Sequence, residues 1–104
     1  MAFADTLQTL PSADHLAAVQ LTDASGQVVA TIENKPGQAG SLRVYAALAD
    51  KHGAINVAAA LEGLDIYAEH TTDALANPGK HPNIDRLIQI RDSQNSLQLV
   101  KVAK

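Results

Sequence analysis

The sequence predicts an α+β fold in which two β-hairpins form one four-stranded, mostly antiparallel sheet with helices on one face. Three observations predict it. Apolar and polar residues alternate in the first third of the chain and again near its end, and helical spacings fill the middle. No linker, repeat or low-complexity tract divides the 104 residues. A chain of this length is expected to form a single domain over residues 1–104.

The first third of the chain predicts one helix and one hairpin. Phe3, Leu7 and Leu10 recur at helical spacing before Pro11, which predicts a short amphipathic helix over residues 2–10. Between residues 16 and 33 the apolar period falls to two, on both sides of the segment Asp23-Ala24-Ser25-Gly26. In that turn Gly26 suits a left-handed position and the Asp23 carboxylate can accept bonds from the turn backbone.

The rest of the chain predicts two helices and a second hairpin. Ser41 can cap a helix over about residues 42–52, and a longer helix follows over 57–77, with Gly63 as a point where it can bend. Segments 87–91 and 97–102 are rich in Ile, Leu and Val and flank a turn-prone stretch, which predicts the tail hairpin. Whether residues 84–87 begin a strand or form one helical turn stays open.

Composition and charge exclude several classes of function. Eight basic against eleven acidic side chains give a charge of −3, and only three residues are aromatic, so we expect no nucleic-acid partner. The absence of cysteine excludes a disulfide framework, a thiolate zinc site and a cysteine nucleophile. The first ten residues lack the basic region of a secretory signal, and no apolar run reaches about 18 residues. We therefore expect a cytoplasmic protein with no membrane association and no cofactor.

The predicted helix over 57–77 has three faces at 100° per residue. Its apolar stripe, which we expect to pack in the core, consists of Val57, Leu61, Leu64, Ala68 and Leu75. A second face is acidic, and a third carries Ile66, Tyr67 and His70 away from the stripe. Three explanations for that third face stay open: cover by the same chain, contact with a second protein molecule, or a ligand site.

The densest polar stretch follows this face and gives the first set of candidate site residues. The candidate ligand-binding side chains are Tyr67, His70, Lys80, His81, Asn83 and Asp85. For acid–base catalysis, His70 or His81 would need a carboxylate beside it, from Glu69 or Asp85, although no nucleophile or oxyanion hole is recognisable.

The same polar stretch can also be interpreted as a metal site or as purely structural. His70 and Asp73 share a helix face and His81 could add a third metal ligand, but the spacing matches no metal motif, so no metal is predicted. In the structural interpretation, Pro78 and Gly79 end the helix and the polar residues bond the local backbone.

A second candidate site lies where a strand leads into a helix. Lys35, Gly37, Gly40 and Ser41, helped by Arg43, could hold an anion at the beginning of that helix. The spacing of the glycines is too short for a P-loop. The alternative is that Ser41 is an ordinary cap and that the two glycines supply turn geometry.

Five blocks of the sequence form a recognisable pattern: residues 34–37, 40–42, 63–64, 67–70 and, as the most specific block, 77–87, whose sequence is NPGKHPNIDRL. With these blocks the chain resembles a small bacterial family, domain of unknown function 2322 (DUF2322). The resemblance covers nearly the whole chain. It implies a compact cytosolic bacterial protein without an assigned activity, and its blocks coincide with the two candidate loops and the third helix face.

The function predicted from the sequence is a noncatalytic binding or protein-interaction module. Its partner would be a second copy, forming a homodimer, or another protein, bound through the face of Ile66, Tyr67 and His70 or through a sheet edge. The tail hairpin, with Lys101 and Lys104, is expected to be the exposed edge. The alternative is a small enzyme or metal-dependent protein that uses the region of His70 and His81.

Overall fold

The computed structural model describes residues 2–104, which form five helices and one three-stranded antiparallel sheet. The elements in chain order are α1 (Phe3–Thr9), β1 (Leu16–Thr22), β2 (Val28–Glu33), α2 (Ala39–His52), α3 (Val57–Tyr67), α4 (Glu69–Ala76), α5 (Pro82–Ser93) and β3 (Gln98–Ala103). The strand order is β2-β1-β3, so β1 is central and the other two strands form the edges. The predicted α+β class is confirmed, but the predicted count of four strands is wrong.

The first hairpin is confirmed in its strands and in its turn. β1 and β2 pair antiparallel, with Val19 opposite Ile32. Gly26 has a φ of +86°, in the left-handed region that favours glycine. The Asp23 carboxylate accepts the Ser25 hydroxyl at 2.6 Å and the Gln27 amide at 3.0 Å. These bonds, led by the Ser25 hydroxyl, hold the pKa of Asp23 below its ordinary value.

The predicted tail hairpin is wrong because its first strand is part of α5. Pro82 occupies the first turn of α5, where its missing amide and fixed φ cost nothing. Ile84, Leu87 and Ile90 then lie on one buried side of the helix. Residues 87–91 alternate when taken alone, but over twelve residues their apolar positions follow the helical period. The remaining strand, β3, pairs directly with β1.

The predicted continuous helix over 57–77 is also wrong, because the chain breaks at Ala68. That residue has φ +50° and ψ −113°, which ends α3 and begins α4. The Thr71 hydroxyl donates to the Leu64 carbonyl at 2.7 Å and so satisfies a group near the break. Alanine is the best helix former, so nothing at position 68 itself predicts the break.

The buried face of α3 includes small residues at its closest contacts. Ala59 and Ala60 are fully buried, whereas Leu61 and Leu75, expected in the core, are 50% and 55% exposed. A Cβ on Gly63 would lie 2.6 Å from Leu87 Cδ1 and 2.9 Å from Leu48 Cδ1. Gly63 therefore does not bend the helix. It allows side chains from α2 and α5 to approach the α3 backbone closely.

The two apolar residues of the third helix face are covered by the same chain, whereas His70 is exposed. Ile66 is 6% exposed and Tyr67 is 3% exposed. Of the three explanations, cover by the same chain therefore accounts for Ile66 and Tyr67. The predicted contact with a second protein molecule through this face stays a prediction, and of the three residues only His70 is exposed to make it.

The sheet places helices against one of its faces. Val19, Leu21 and Ile32 point into the core and are at most 1% exposed, whereas the alternate positions Gln20 and Thr31 remain accessible. At the β3 edge, Lys101 forms an ion pair with Asp50 of α2 at 2.7 Å. Within residues 2–104, none of the helices combines the length and the apolar character needed to cross a bilayer.

Candidate functional site

The two candidate stretches from the sequence line one cavity of about 390 Å³, which we call the central cavity. It lies between the beginning of α2, the α3–α4 break and the loop that leads into α5. Its wall comes from Gly37, from segments 39–41 and 80–84, and from Phe3, Tyr67 and His70. Residues distant in the sequence therefore meet at one surface opening.

The beginning of α2 supplies one side of the central cavity. Gly37, at φ +89°, turns the chain after β2. Ser41 is the third residue of α2 and not its cap, and its Oγ accepts a hydrogen bond from the Tyr67 hydroxyl at 2.7 Å. No described hydrogen bond joins the amides of Gly40 and Ser41 to another residue of the 2–104 region. These amides remain available as donors at the positive end of the α2 dipole.

Aromatic rings form the wall beside the α3–α4 break. The Phe3 ring stacks on Tyr67 with a centroid separation of 5.1 Å and an interplanar angle of 17°. The His70 ring meets Phe3 edge-on at 5.2 Å. Burial raises the pKa of Tyr67, so its hydroxyl stays protonated and donates to Ser41. Phe3 thus brings α1 to the rim of the cavity.

Glu69 fixes α1 in this position. Its Oε1 accepts the Phe3 amide at 2.9 Å, and this bond holds the pKa of Glu69 below its ordinary value. Glu69 was a candidate carboxylate for acid–base work with a histidine. Its described hydrogen bond goes to the backbone of α1 instead, and it does not line the central cavity.

The carboxylate beside His81 is Asp73. His81 Nε2 lies 2.6 Å from Asp73 Oδ2, and Lys80 Nζ lies 3.0 Å from the same oxygen. The His81 hydrogen bond, followed by that of Lys80, lowers the pKa of Asp73 to about 2. Asn77 donates to the other oxygen, Oδ1, at 3.0 Å. The turn through Pro78 and Gly79 brings these residues together from the end of α4 and the following loop.

Asn83 and Asp85 have separate positions. Asn83 lines the central cavity and accepts two hydrogen bonds from the protein. Its carbonyl accepts one from the Tyr45 hydroxyl, and its Oδ1 accepts one from Arg86 Nη1 at 2.8 Å. Burial raises the pKa of Tyr45 to about 12, so this donor stays protonated. Asp85 accepts the Gly79 amide at 2.9 Å and lines a different groove, between α4 and α5.

The cations proposed for the strand-to-helix loop do not reach the central cavity. Lys35 forms an ion pair with Glu33 at 2.5 Å, and neither residue lines it. Arg43 donates to the Leu10 carbonyl and, at 3.1 Å, to the Pro11 carbonyl. Of that candidate set, Gly37, Gly40 and Ser41 line the cavity.

The central cavity has basic side chains but no acidic ones among its lining residues within the 2–104 region. His70, Lys80 and His81 are its basic side chains, and no Asp or Glu of the described residues is part of the lining. Around the His70 and His81 rings, whose centroids are 6.0 Å apart, no third metal-ligating side chain of residues 2–104 completes a metal-binding group. The arrangement can therefore donate hydrogen bonds and positive charge to a ligand.

Sequence reasoning missed two residues of this site. Phe3 was interpreted only as the first apolar residue of a helix, and the spacing of that helix gave no sign that its ring reaches Tyr67. Asp73 was weighed only as a metal ligand. Its position eight residues before His81, across a Pro-Gly turn, was the available signal for the pair.

The chain was compared with protein families, curated proteins and solved structures. Neither the curated proteins nor the solved structures gave a match. The model of one family, DUF2322, described as an uncharacterized protein conserved in bacteria, matches residues 3–101. That match spans nearly all of the 104 residues, so this chain belongs to the DUF2322 family.

Proposed function

We propose that the protein is a noncatalytic binding domain whose central cavity takes a small molecule bearing a carboxylate or phosphate group. The observation that carries the proposal is the lining: His70, Lys80 and His81 face the cavity, and no acidic side chain of the described residues does. The chain as a whole has a net charge of −3, so this local excess of bases is not a consequence of composition. Pockets with a few converging polar groups are the usual sites of small ligands.

The available donors suit an oxyanion. The Ser41 oxygen already accepts a bond from Tyr67, which leaves its own hydrogen for a ligand. Because Nε2 of His81 donates to Asp73, the other ring nitrogen, Nδ1, can donate to an anionic ligand when the ring is in its protonated form. Lys80 adds a flexible ammonium that is 60% exposed and can move from Asp73 to a bound anion.

Thermal unfolding with added anions tests this function. We expect phosphate or acetate to raise the melting temperature above that in sodium chloride of equal ionic strength, because a ligand that binds only the folded state stabilises it. The shift should fall in Lys80→Gln and persist in Lys35→Gln. Lys35 is the matched control, since it is a similarly exposed lysine in a carboxylate pair outside the cavity. Equal shifts in both variants, or none in the wild type, would contradict the proposal.

The second candidate function is acid–base catalysis by His81. The 2.6 Å contact with Asp73 favours it, because a carboxylate fixes the orientation of an imidazole that can then exchange a proton with a substrate. Hydrolysis of 4-nitrophenyl acetate that is lost in both His81→Gln and Asp73→Asn would support this function. Turnover that is unchanged in both variants would exclude it for this ester.

We also propose a cytosolic location and a homodimer formed through a sheet edge. Val28 and Val29 of the β2 edge are 45% and 51% exposed, and β2 has no lysine, whereas β3 carries Lys101. Light scattering coupled to gel filtration should give twice the chain mass, and Thr31→Pro in β2 should reduce it to the mass of the monomer. A wild-type monomer at millimolar concentration would contradict the dimer.

A further inference from the structure

The central cavity has an apolar component beside its bases. Phe3, Ala39, Pro82 and Ile84 contribute to the wall, and Gly40 contributes no side chain. A bare oxyanion would use the bases and leave this apolar surface in contact with water. Apolar surface that a ligand can cover adds to its affinity.

The volume of the central cavity also exceeds that of a bare oxyanion. At about 30 Å³ per water molecule in the liquid, 390 Å³ corresponds to about 13 waters. Cavities of about 300 Å³ and more are typical of organic ligands. The space therefore fits an anionic group together with a compact organic body.

Phe3 is the aromatic side chain that such a body would meet. Tyr67 is 3% exposed, whereas Phe3 is only partly buried and lines the cavity. A Cβ built on Gly40 would lie 3.7 Å from Phe3 Cζ, so the rim of the Phe3 ring points toward the glycine. Gly40 and Phe3 thus lie side by side in the cavity wall, and no side chain at position 40 covers the edge of the Phe3 ring.

We propose that the ligand is an anion carried on an aromatic body, and that Phe3 is the residue that selects this body. This inference rests on the proposed binding function and adds the class of ligand. Aromatic pairs gain from edge-to-face or offset contact beyond the area that they bury. The expected preference for an aryl over a short alkyl anion is about tenfold, from the ring contact together with the larger apolar area.

Isothermal titration calorimetry with phenyl phosphate and ethyl phosphate tests the inference. The wild type should bind phenyl phosphate about tenfold more tightly than ethyl phosphate. Phe3→Ala and Phe3→Leu should lower that preference to about twofold or less. Leu7→Ala is the control, because Leu7 also packs α1 near Gly40 but does not line the central cavity.

The outcomes separate the inference from the function on which it rests. Equal binding of the two esters by the wild type would overturn the aromatic class and leave anion binding standing. A preference that Phe3→Ala retains, or that Leu7→Ala also loses, would overturn the role of Phe3. Failure of both esters and of inorganic phosphate to bind would overturn the proposed function and the inference with it. Melting curves of each variant check that it is folded.

Discussion

Gly63 is the residue on which the packing of α3 depends most directly. The methyl groups of Leu87 and Leu48 occupy the space that a side chain at position 63 would need. They would lie under 3.0 Å from an added Cβ. We expect Gly63→Ala to lower the free energy of unfolding by up to about 2 kcal/mol, because the cost of overpacking the core exceeds the gain in helix propensity of about 1 kcal/mol. Gly40→Ala is the control, because its nearest contact would be an ordinary 3.6 Å. Urea denaturation measures both, and equal effects would contradict the close approach at Gly63.

Asp73 should make the free energy of unfolding depend on pH in the acidic range. Its pKa is lowered to about 2 from an ordinary value of 3.8, so the stability that it contributes is present above pH 3.8 and is lost as the pH falls from 3.8 toward 2. Asp73→Asn should therefore flatten the decline of the urea midpoint over that interval. Asp14→Asn, at an exposed position, is the control. An unchanged pH profile in Asp73→Asn would mean that the pair with His81 and Lys80 does not form in solution.

At the scale of elements, the sequence predicted an element correctly where residues close together in the chain determine its structure. The first hairpin was predictable because Asp23 and Gly26 satisfy and shape their own turn. α5 was mistaken for a strand because five residues that alternate are too short a window to show a helical period. The break after α3 was not predictable, because the groups that stabilise it, such as the Thr71 bond to Leu64, come from the folded structure.

Because the chain breaks between α3 and α4, glycine substitutions at two alanines should change the free energy of unfolding in opposite directions. Ala68 has a φ of +50°, which costs an L residue on the order of 1 kcal/mol and costs glycine little. We expect Ala68→Gly to raise the free energy of unfolding by about 1 kcal/mol. Ala58→Gly, at an exposed position within α3, should lower it by about 0.5–1 kcal/mol. Destabilisation by both substitutions would argue for a continuous helix.

α1 should be the most easily released helix. It has no fully buried residue, and Glu69 holds its first turn through the Phe3 amide. We expect Glu69→Ala to speed hydrogen exchange at the Phe3 amide and at the later amides of α1, while the amides of β1 keep their protection. Exchange in α1 that matches the wild type would show that the Phe3 and Leu7 side chains hold the helix without this bond.

At the scale of the whole molecule, the fold joins two sites that the sequence presented separately. Proline and glycine marked both loops, and histidine marked the second one. Their meeting depends on the packing of α3 between α2 and α5, and that packing follows from small residues such as Ala59, Ala60 and Gly63. Ordinary hydrophobic patterning favours large side chains and placed Leu61 in the core instead. Each of the two loops was thus predictable as a candidate site, but their meeting in one cavity was not.

The meeting of the two loops around a bound anion is best tested by an NMR titration of the ¹⁵N-labelled protein with phenyl phosphate. If the two loops form one site, the amide resonances of segment 37–41 and of Lys80, His81, Asn83 and Ile84 should shift together, with one dissociation constant. Shifts confined to one loop, or centred on the basic residues Lys101 and Lys104 of the tail, would contradict it.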